Sequence, residues 1–298
     1  MNITISGASG FIGRRLLKVL GSAGHSLHVL SRHAGANMPA GVRLSVWDPM
    51  KGQPPRESLE NADAVVHLAG EPVAQRWTPE VKRRIRESRV EGTRRLVESL
   101  SALPRRPGVL VAASAVGYYG SRGDELLDES SPPGAGFLPE VCVAWEKEAQ
   151  AAATLGMRVA SIRIGLVLDP RGGALARMLL PFRLGAGGRL GSGQQWMSWI
   201  HLADLVEQFR FSIENPVAGV WNGVAPVAVT NREFSKELAQ ALHRPAFFPV
   251  PPLALKVLFG EMSTVLLESQ RVAPRAAQAA GFRFRFSQLG PALADLLR

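Results

Sequence analysis

The chain opens Met1-Asn2-Ile3-Thr4-Ile5-Ser6-Gly7-Ala8-Ser9-Gly10-Phe11-Ile12-Gly13, and this stretch decides the fold. A short apolar run, Asn2–Ser6, enters a glycine turn, and an amphipathic segment, Phe11–Ala23, begins at once. The pattern predicts a buried strand, a tight turn and a helix. Gly7 permits the sharp exit from the strand, Gly10 lets backbone approach a pyrophosphate, and Gly13 lets the helix pack close on the sheet. Ser9, Phe11 and Ile12 complete the turn and the helix start, where free N–H groups and a positive dipole end suit phosphate oxygens. A glycine triplet alone is weak evidence. Its place between a predicted strand and a predicted helix is the context that makes it a dinucleotide-binding turn.

Outward from this turn the same alternation continues. Ser26–Arg32, Val42–Asp48, Asp63–Gly70, Pro107–Val116 and Arg158–Leu168 read as strands, rich enough in Val, Ile, Leu and Ala to be buried on both faces. Pro79–Leu103 and Leu138–Leu155 read as helices between them. The expectation is an α/β fold, a doubly wound parallel sheet of Rossmann type. Arg171–Gln195 holds seven glycines and reads as a loop-and-helix insertion. Leu202–Glu214 and Asn231–Leu242 are expected helices flanking a short strand, Gly219–Gly223. Leu253–Leu267 and Pro274–Ala280 are expected helices of a small, mainly helical C-terminal lobe. The expected division is residues 1–244 for the dinucleotide-binding domain and 245–298 for the lobe, packed near the substrate cleft.

The end of the second strand speaks to the nucleotide. An acid there usually bonds a ribose 2′-hydroxyl. This chain has Ser31-Arg32 instead, and a guanidinium can stack on adenine and fork onto a 2′-phosphate. NADP(H) is therefore favoured over NAD(H).

Composition narrows the remaining classes. With 298 residues, 46% hydrophobic and 20% charged, the chain can bury a large core. No uninterrupted apolar run approaches the roughly 18 residues of a membrane-spanning helix. The start of the chain has no basic segment followed by a cleavable apolar one, so a cytoplasmic protein is expected. Cys142 is the single cysteine, which excludes an internal disulfide, and the six histidines show no metal-ligand spacing, so no metal is expected. A net charge of +10 raises nucleic acid as a partner. The densest basic run, Lys82–Arg95, is interrupted by Glu87 and Glu91 at helical spacing and reads as a solvated helix face without stacking aromatics. Nucleic acid is the minority reading; a small-molecule substrate is the majority one.

These residues resemble the extended short-chain dehydrogenase/reductase superfamily, whose fingerprint is Gly-x-x-Gly-x-x-Gly. His67-Leu68-Ala69-Gly70 is similar to its apolar-Ala-Gly element beside the cofactor, and Ser114 sits where it has a catalytic serine. Gly70-Glu71-Pro72-Val73, Arg76-Trp77-Thr78, Arg163-Ile164-Gly165-Leu166-Val167-Leu168, Gly191–Asp204 and Ser269-Gln270-Arg271-Val272 narrow the resemblance to epimerase-family proteins with a short C-terminal domain. The resemblance implies an NADP-dependent oxidoreductase or nucleotide-sugar epimerase-like activity. It also implies pairing of the Pro79–Leu103 and Leu138–Leu155 helices in a homodimer. One departure stands out. Superfamily members use a Tyr-x-x-x-Lys pair, the phenolate as acid/base and the lysine on the nicotinamide ribose. No such pair occurs in this chain, and the two positions fall on Cys142 and Glu146.

Candidate replacements each carry a plainer reading. Ser114 either orients a substrate oxygen or packs behind a strand. Tyr118 or Tyr119 either supplies a phenol or packs against the lobe. Cys142 on an apolar helix face reads as core. Glu146 stands where the lysine touches the ribose and is read as a ribose ligand. Glu71 and Arg76 follow the fourth strand where the middle of a dinucleotide passes, Arg76 as an anion ligand or a solvated loop residue. Asp48 either meets the adenine amino group or only forms a turn with Pro49. Trp196, Trp199 and His201 either face the cleft or seal the lobe, and Asp204 reads as a helix-start residue. If the site does no chemistry, the alternative is a non-catalytic NADP(H)-binding sensor or regulator.

Overall fold

The structure, a computed structural model, describes residues 1–35, 38–246 and 248–298. In chain order its strands are β1 (Asn2–Ser6), β2 (Ser26–Ser31), β3 (Arg43–Val46), β4 (Ala64–His67), β5 (Val109–Ala115) and β6 (Leu126–Leu127). They continue with β7 (Arg158–Ile164), β8 (Leu166–Asp169), β9 (Trp196–Met197), β10 (Trp199–His201), β11 (Gly219–Gly223), β12 (Val229–Thr230) and β13 (Arg271–Val272). Seven of these form one sheet in the order β11-β7-β5-β4-β1-β2-β3, with every neighbouring pair parallel. The order reverses between β1 and β4, which opens a crevice at the strands' C-terminal ends.

The helices are α1 (Phe11–Ser22), α2 (Pro79–Ser101), α3 (Phe137–Gln150), α4 (Gly173–Arg183) and α5 (Leu202–Glu214). Beyond them lie α6 (Asn231–Ala241), α7 (Pro252–Phe259), α8 (Ser263–Leu267), α9 (Arg275–Ala279) and α10 (Leu289–Leu296). Strand side chains alternate between two cores, as the period of two requires. Val109 and Val111 join Leu16 and Leu20 of α1 and Leu205 and Phe209 of α5 on one face. Leu110 and Ala112 join Leu96 and Leu100 of α2 and Ala149 of α3 on the other. The sheet is thus doubly wound, as its apolar strands predict. The exposed face of α2 is laced by Arg83 with Glu80 and Glu87, and by Arg94 with Glu91 and Glu148. No helix among the described residues is long and apolar enough to cross a membrane.

Two expected elements are divided. Arg158–Leu168 is two strands, because the chain at Gly165 passes so close to Ser198 that a Cβ there would collide with the Ser198 carbonyl oxygen. Gly165 N bonds Gly223 O at 3.0 Å and Leu166 N bonds Ser198 O at 2.8 Å, so β8 leaves the main sheet to pair with β10. Leu253–Leu267 is also broken, at Gly260, where φ is +61°. The C-terminal residues share a third core with the insertion: Phe286, Leu289 and Leu293 pack with Leu175, Leu179, Trp199 and Phe234. Asp204 ties this junction, accepting the backbone N–H groups of Arg285 and Phe286 at 2.9 Å each.

His67 ends β4 fully buried, its Nδ1 at 2.6 Å from Ser6 Oγ and its ring against Trp47. Burial, with Arg89 adding, lowers its pKa to about 4. The unfolded chain takes this proton near 6.5, so the stabilising contribution is complete above that pH and is lost as pH falls through about 4. That share is on the order of 3 kcal/mol. In His67→Gln, melting temperature should fall less steeply between pH 6.5 and 4 than in the wild type; an unchanged slope would refute the assignment. His28 and His201, also lowered by burial, keep part of the slope.

Candidate active site

The glycine turn is held by backbone geometry. Gly7 has φ +74°, and a Cβ on it would lie 2.6 Å from the Leu68 carbonyl carbon, so β1 and β4 approach as only glycine allows. A Cβ on Gly13 would lie 2.5 Å from Ala8 Cα, which brings α1 down onto the turn. Gly10 N bonds Gly7 O at 3.1 Å. Gly10 is also the N-cap of α1, with no side-chain cap and no acid in the first turn. The leading N–H groups of the helix are therefore open to an anion, which fits a dinucleotide pyrophosphate.

A cavity of about 500 Å³ opens in front of this turn. Its wall includes Gly7, Ser9 and Gly10 from the turn, Ser31 and Arg32 from the end of β2, and Asp48 after β3. Leu68, Ala69, Gly70 and Glu71 close it after β4, with Arg84 and Ser88 reaching in from α2. Arg32 is exposed at the rim, whereas Ser31 is buried and its Oγ accepts from His33 N at 3.2 Å. Asp48 Oδ1 accepts from Met50 N at 3.0 Å, so it forms its turn and lines the cavity together. Phe11 and Ile12 face elsewhere: Ile12 packs on the core, and the Phe11 ring lies against Gly172 and Gly173 at the start of α4.

The chemistry-bearing residues gather at the ends of β5 and β7. Arg163 pairs with Glu146 through two bonds of 2.8 Å, Nε to Oε1 and Nη2 to Oε2, with side chains 4% and 13% exposed. Ser114 Oγ donates to Glu146 Oε1 at 2.6 Å. Arg163 Nη1 donates to the Tyr119 hydroxyl at 2.9 Å, and that hydroxyl donates to Asn222 Oδ1 at 2.8 Å. The guanidinium carbon lies 3.3 Å from the centre of the Tyr118 ring, a stacked cation–π contact. Burial opposes the Arg163 charge, yet bonding to Glu146 holds the guanidinium above its ordinary range.

This network separates the two tyrosines. Tyr119 is fully buried, and burial pushes its phenol up to about 12 against the pull of Arg163, so it stays protonated inside the core. Val116–Tyr119 is a 3-10 turn, whose consecutive side chains point about 120° apart, so only Tyr118 reaches partial exposure. Glu146 accepts from Arg163 on both oxygens and from Ser114 on Oε1. Arg76 lies outside the cavity wall, its Nε 3.5 Å from where a Cβ of Gly260 would stand. Cys142 is core, its thiol pushed up to about 12 by burial and by the Glu146 charge. Trp199 is fully buried, and His201 caps α5 and stacks on Phe286 at 4.0 Å, so both seal the lobe. Trp196 bonds Asp124 and lies under Arg271. Arg163 and Asn222 were given no role by sequence; the signal for Arg163 was a charge inside an apolar strand, where it must find a partner.

A sheet of this order with a glycine cradle at its switch point defines the Rossmann class. The model of the NAD dependent epimerase/dehydratase family matches residues 3–227, and a domain of unknown function (DUF1731) matches residues 250–296. The chain belongs to that epimerase/dehydratase family. It is 43% identical over 308 residues to the "epimerase family protein SDR39U1 homolog, chloroplastic" of Arabidopsis thaliana, covering 100% of this chain and 87% of that one. Among solved structures, the human epimerase family protein SDR39U1 (isoform 2), crystallised with NADPH, is 36% identical with a TM-score of 0.88, covering 100% and 99% of the two chains. A nucleoside-diphosphate sugar epimerase from Corynebacterium glutamicum is 35% identical with a TM-score of 0.81, covering 100% of this chain and 58% of that one.

Removing one partner of a buried ion pair leaves an uncompensated charge and costs about 3–5 kcal/mol. Arg163→Met should therefore lower unfolding free energy by about that amount in urea titrations, while adding Glu146→Leu should restore part of it. Equal loss in the single and double variants would show that the pair itself is not the source.

Proposed function

We propose that this chain binds NADP(H) in preference to NAD(H) and acts as an oxidoreductase or epimerase on a small-molecule substrate. The observation that carries the reading is the uncapped α1 N-terminus opening into a cavity whose far rim carries Arg32 instead of an acid. The NADPH bound by the human relative supports it. Gly7, Ser9, Gly10 and the α1 N-terminus would hold the pyrophosphate, Ser31 and Arg32 the 2′-phosphate and Asp48 the adenine, with Leu68, Ala69 and Gly70 lining the cofactor and Glu71 beside the middle of the dinucleotide. Residues 1–244 would carry this site and 245–298 would complete the substrate side. A cytoplasmic location and a homodimer through α2 and α3 belong to the same reading.

Bound NADP(H) would supply or accept hydride at its nicotinamide. The residues of the chain fix what happens to the substrate oxygen. The Ser114 proton points at Glu146, so its Oγ keeps a lone pair free to accept from a substrate hydroxyl. Tyr118, flattened on Arg163, offers the only phenol with access, since Tyr119 is enclosed. Ser114 would orient the oxygen and Tyr118 would carry its proton. A second reading, a non-catalytic NADP(H) sensor, is favoured by the burial of Ser114 at 2% exposure.

Titration with NADPH, NADH, NADP⁺ and NAD⁺ tests the cofactor. NADPH should bind more tightly than NADH, and Arg32→Asp should weaken NADPH roughly 10- to 100-fold, the worth of a charged hydrogen bond, while sparing NADH. Absence of binding to all four would overturn the reading. With cofactor bound, a carbonyl and sugar-nucleotide screen that oxidises NADPH would exclude the sensor.

A further inference from the structure

Helix α6 sorts its charges by sign. Arg232 and Lys236 stand four positions apart on one face, and Glu233 and Glu237 four apart on the next. Like charges at that spacing destabilise a helix and opposite ones support it, as Arg83 and Glu87 do on α2. Both acids are turned away: Glu233 closes the capping box with Thr230, and Glu237 lies against Gly290 of α10. The cationic face lines a groove of about 600 Å³ together with Arg189, His243 and Arg244, and among the described residues no carboxylate belongs to its wall. Gly193 brings two of the arginines side by side, since a Cβ there would stand 3.1 Å from Arg189 Cβ and 3.2 Å from Arg232 Cβ. Arg189 and Arg244 donate only to carbonyl oxygens, of Ser192 at 3.4 Å and of Arg183 at 3.1 Å. Ser235, 5% exposed, opens on the same groove, and its hydroxyl has no hydrogen-bond partner among the described residues. An unpaired hydroxyl and a set of mutually repelling cations both cost stability, so packing alone does not explain the arrangement.

A bound anion removes both costs. Phosphate oxygens suit these groups, because a guanidinium forks onto two of them, an ammonium meets them as a point charge and a hydroxyl donates. The lining runs along α6 from Arg232 to Gln240, about 12 Å at the rise of a helix, and continues to His243 and Arg244. A single phosphate reaches only part of that row. We propose that the groove binds a small anion carrying two or more linked phosphates, at a site that shares no wall residue with the dinucleotide cavity. Arg189 and Arg232 clamp one phosphate with the Ser235 hydroxyl, and Lys236, His243 and Arg244 meet the rest. Among the described residues no Phe, Tyr or Trp lines the groove, so it offers no stacking platform for bases, which favours a small ligand over nucleic acid.

The probe is inorganic triphosphate, titrated by calorimetry into the full chain with and without NADPH, with orthophosphate for comparison and thermal melts to check folding. Triphosphate should bind in both conditions and more tightly than orthophosphate. Arg232→Gln and Lys236→Gln should each weaken it roughly 10- to 100-fold, the worth of a charged hydrogen bond, whereas Arg83→Gln on α2 should leave it within about two-fold. Four results would overturn the proposal. No binding of triphosphate would leave the groove a solvated face. Equal weakening by Arg83→Gln would reduce the effect to net charge. Binding that NADPH abolishes and Arg232→Gln spares would place the triphosphate in the dinucleotide cavity. An oligothymidylate that binds more tightly than triphosphate, and loses affinity in Arg232→Gln, would give the groove to nucleic acid.

Discussion

A carboxylate and a guanidinium that share almost no solvent, Glu146 and Arg163, hold together the part of this molecule where chemistry belongs. Each ion alone would be costly in that position, and the pair is tolerable because its geometry is bidentate and further hydrogen bonds support both partners. Ser114 fills one oxygen, Tyr119 takes the third arm of the guanidinium, and Asn222 receives the Tyr119 proton. The network thereby fixes β5, β7, β11 and α3 relative to one another and decides the direction of the Ser114 hydroxyl. It also explains how a Rossmann-type chain can lack a Tyr-x-x-x-Lys pair and still keep an ordered polar cluster in the same region.

The second organising feature is backbone contact. At Gly7, Gly13 and Gly165 the chain passes where no side chain fits. The first two pull β1, β4 and α1 together around the glycine turn. The third diverts the strand after β7 away from the sheet, which makes space for β10 and for the insertion that carries α4. The glycine turn and the departure of β8 from the main sheet are therefore set by the same kind of constraint, one at the start of the chain and one past its middle.

Most of the sheet was readable because each strand is apolar and each helix amphipathic, so local pattern and tertiary role agree. The glycine turn was readable because its backbone geometry is local. What escaped was decided by distant partners. The break at Gly165 depends on Ser198, more than thirty positions on. Tyr118 and Tyr119 are adjacent in sequence, and only the 3-10 turn separates the accessible ring from the enclosed one. The ion pair of Glu146 escaped because nothing nearby in sequence announces Arg163 as its partner. Ser269-Gln270-Arg271-Val272 stood out as a motif without a task. In space it is a seam: Ser269 Oγ donates to Gly123 O, Ser198 Oγ donates to Gln270 O, and β13 pairs with β6.

That seam has a kinetic consequence. Within the sheet from β1 to β5, β1 meets β2 across α1, β2 meets β3 across a loop and β4 meets β5 across α2, while the β1–β4 pairing joins Ile3 to Ala64. β6 in the segment 121–127 finds its strand partner only when residues 269–272 arrive, and the Ser269–Gly123 bond spans 146 positions. Contacts of such long range form late, because the entropy of closing the loop must be met before they return anything. During synthesis the sheet from β1 to β5 can thus mature on its own schedule, while the β6–β13 pair stays unfinished until the last of its strands is made.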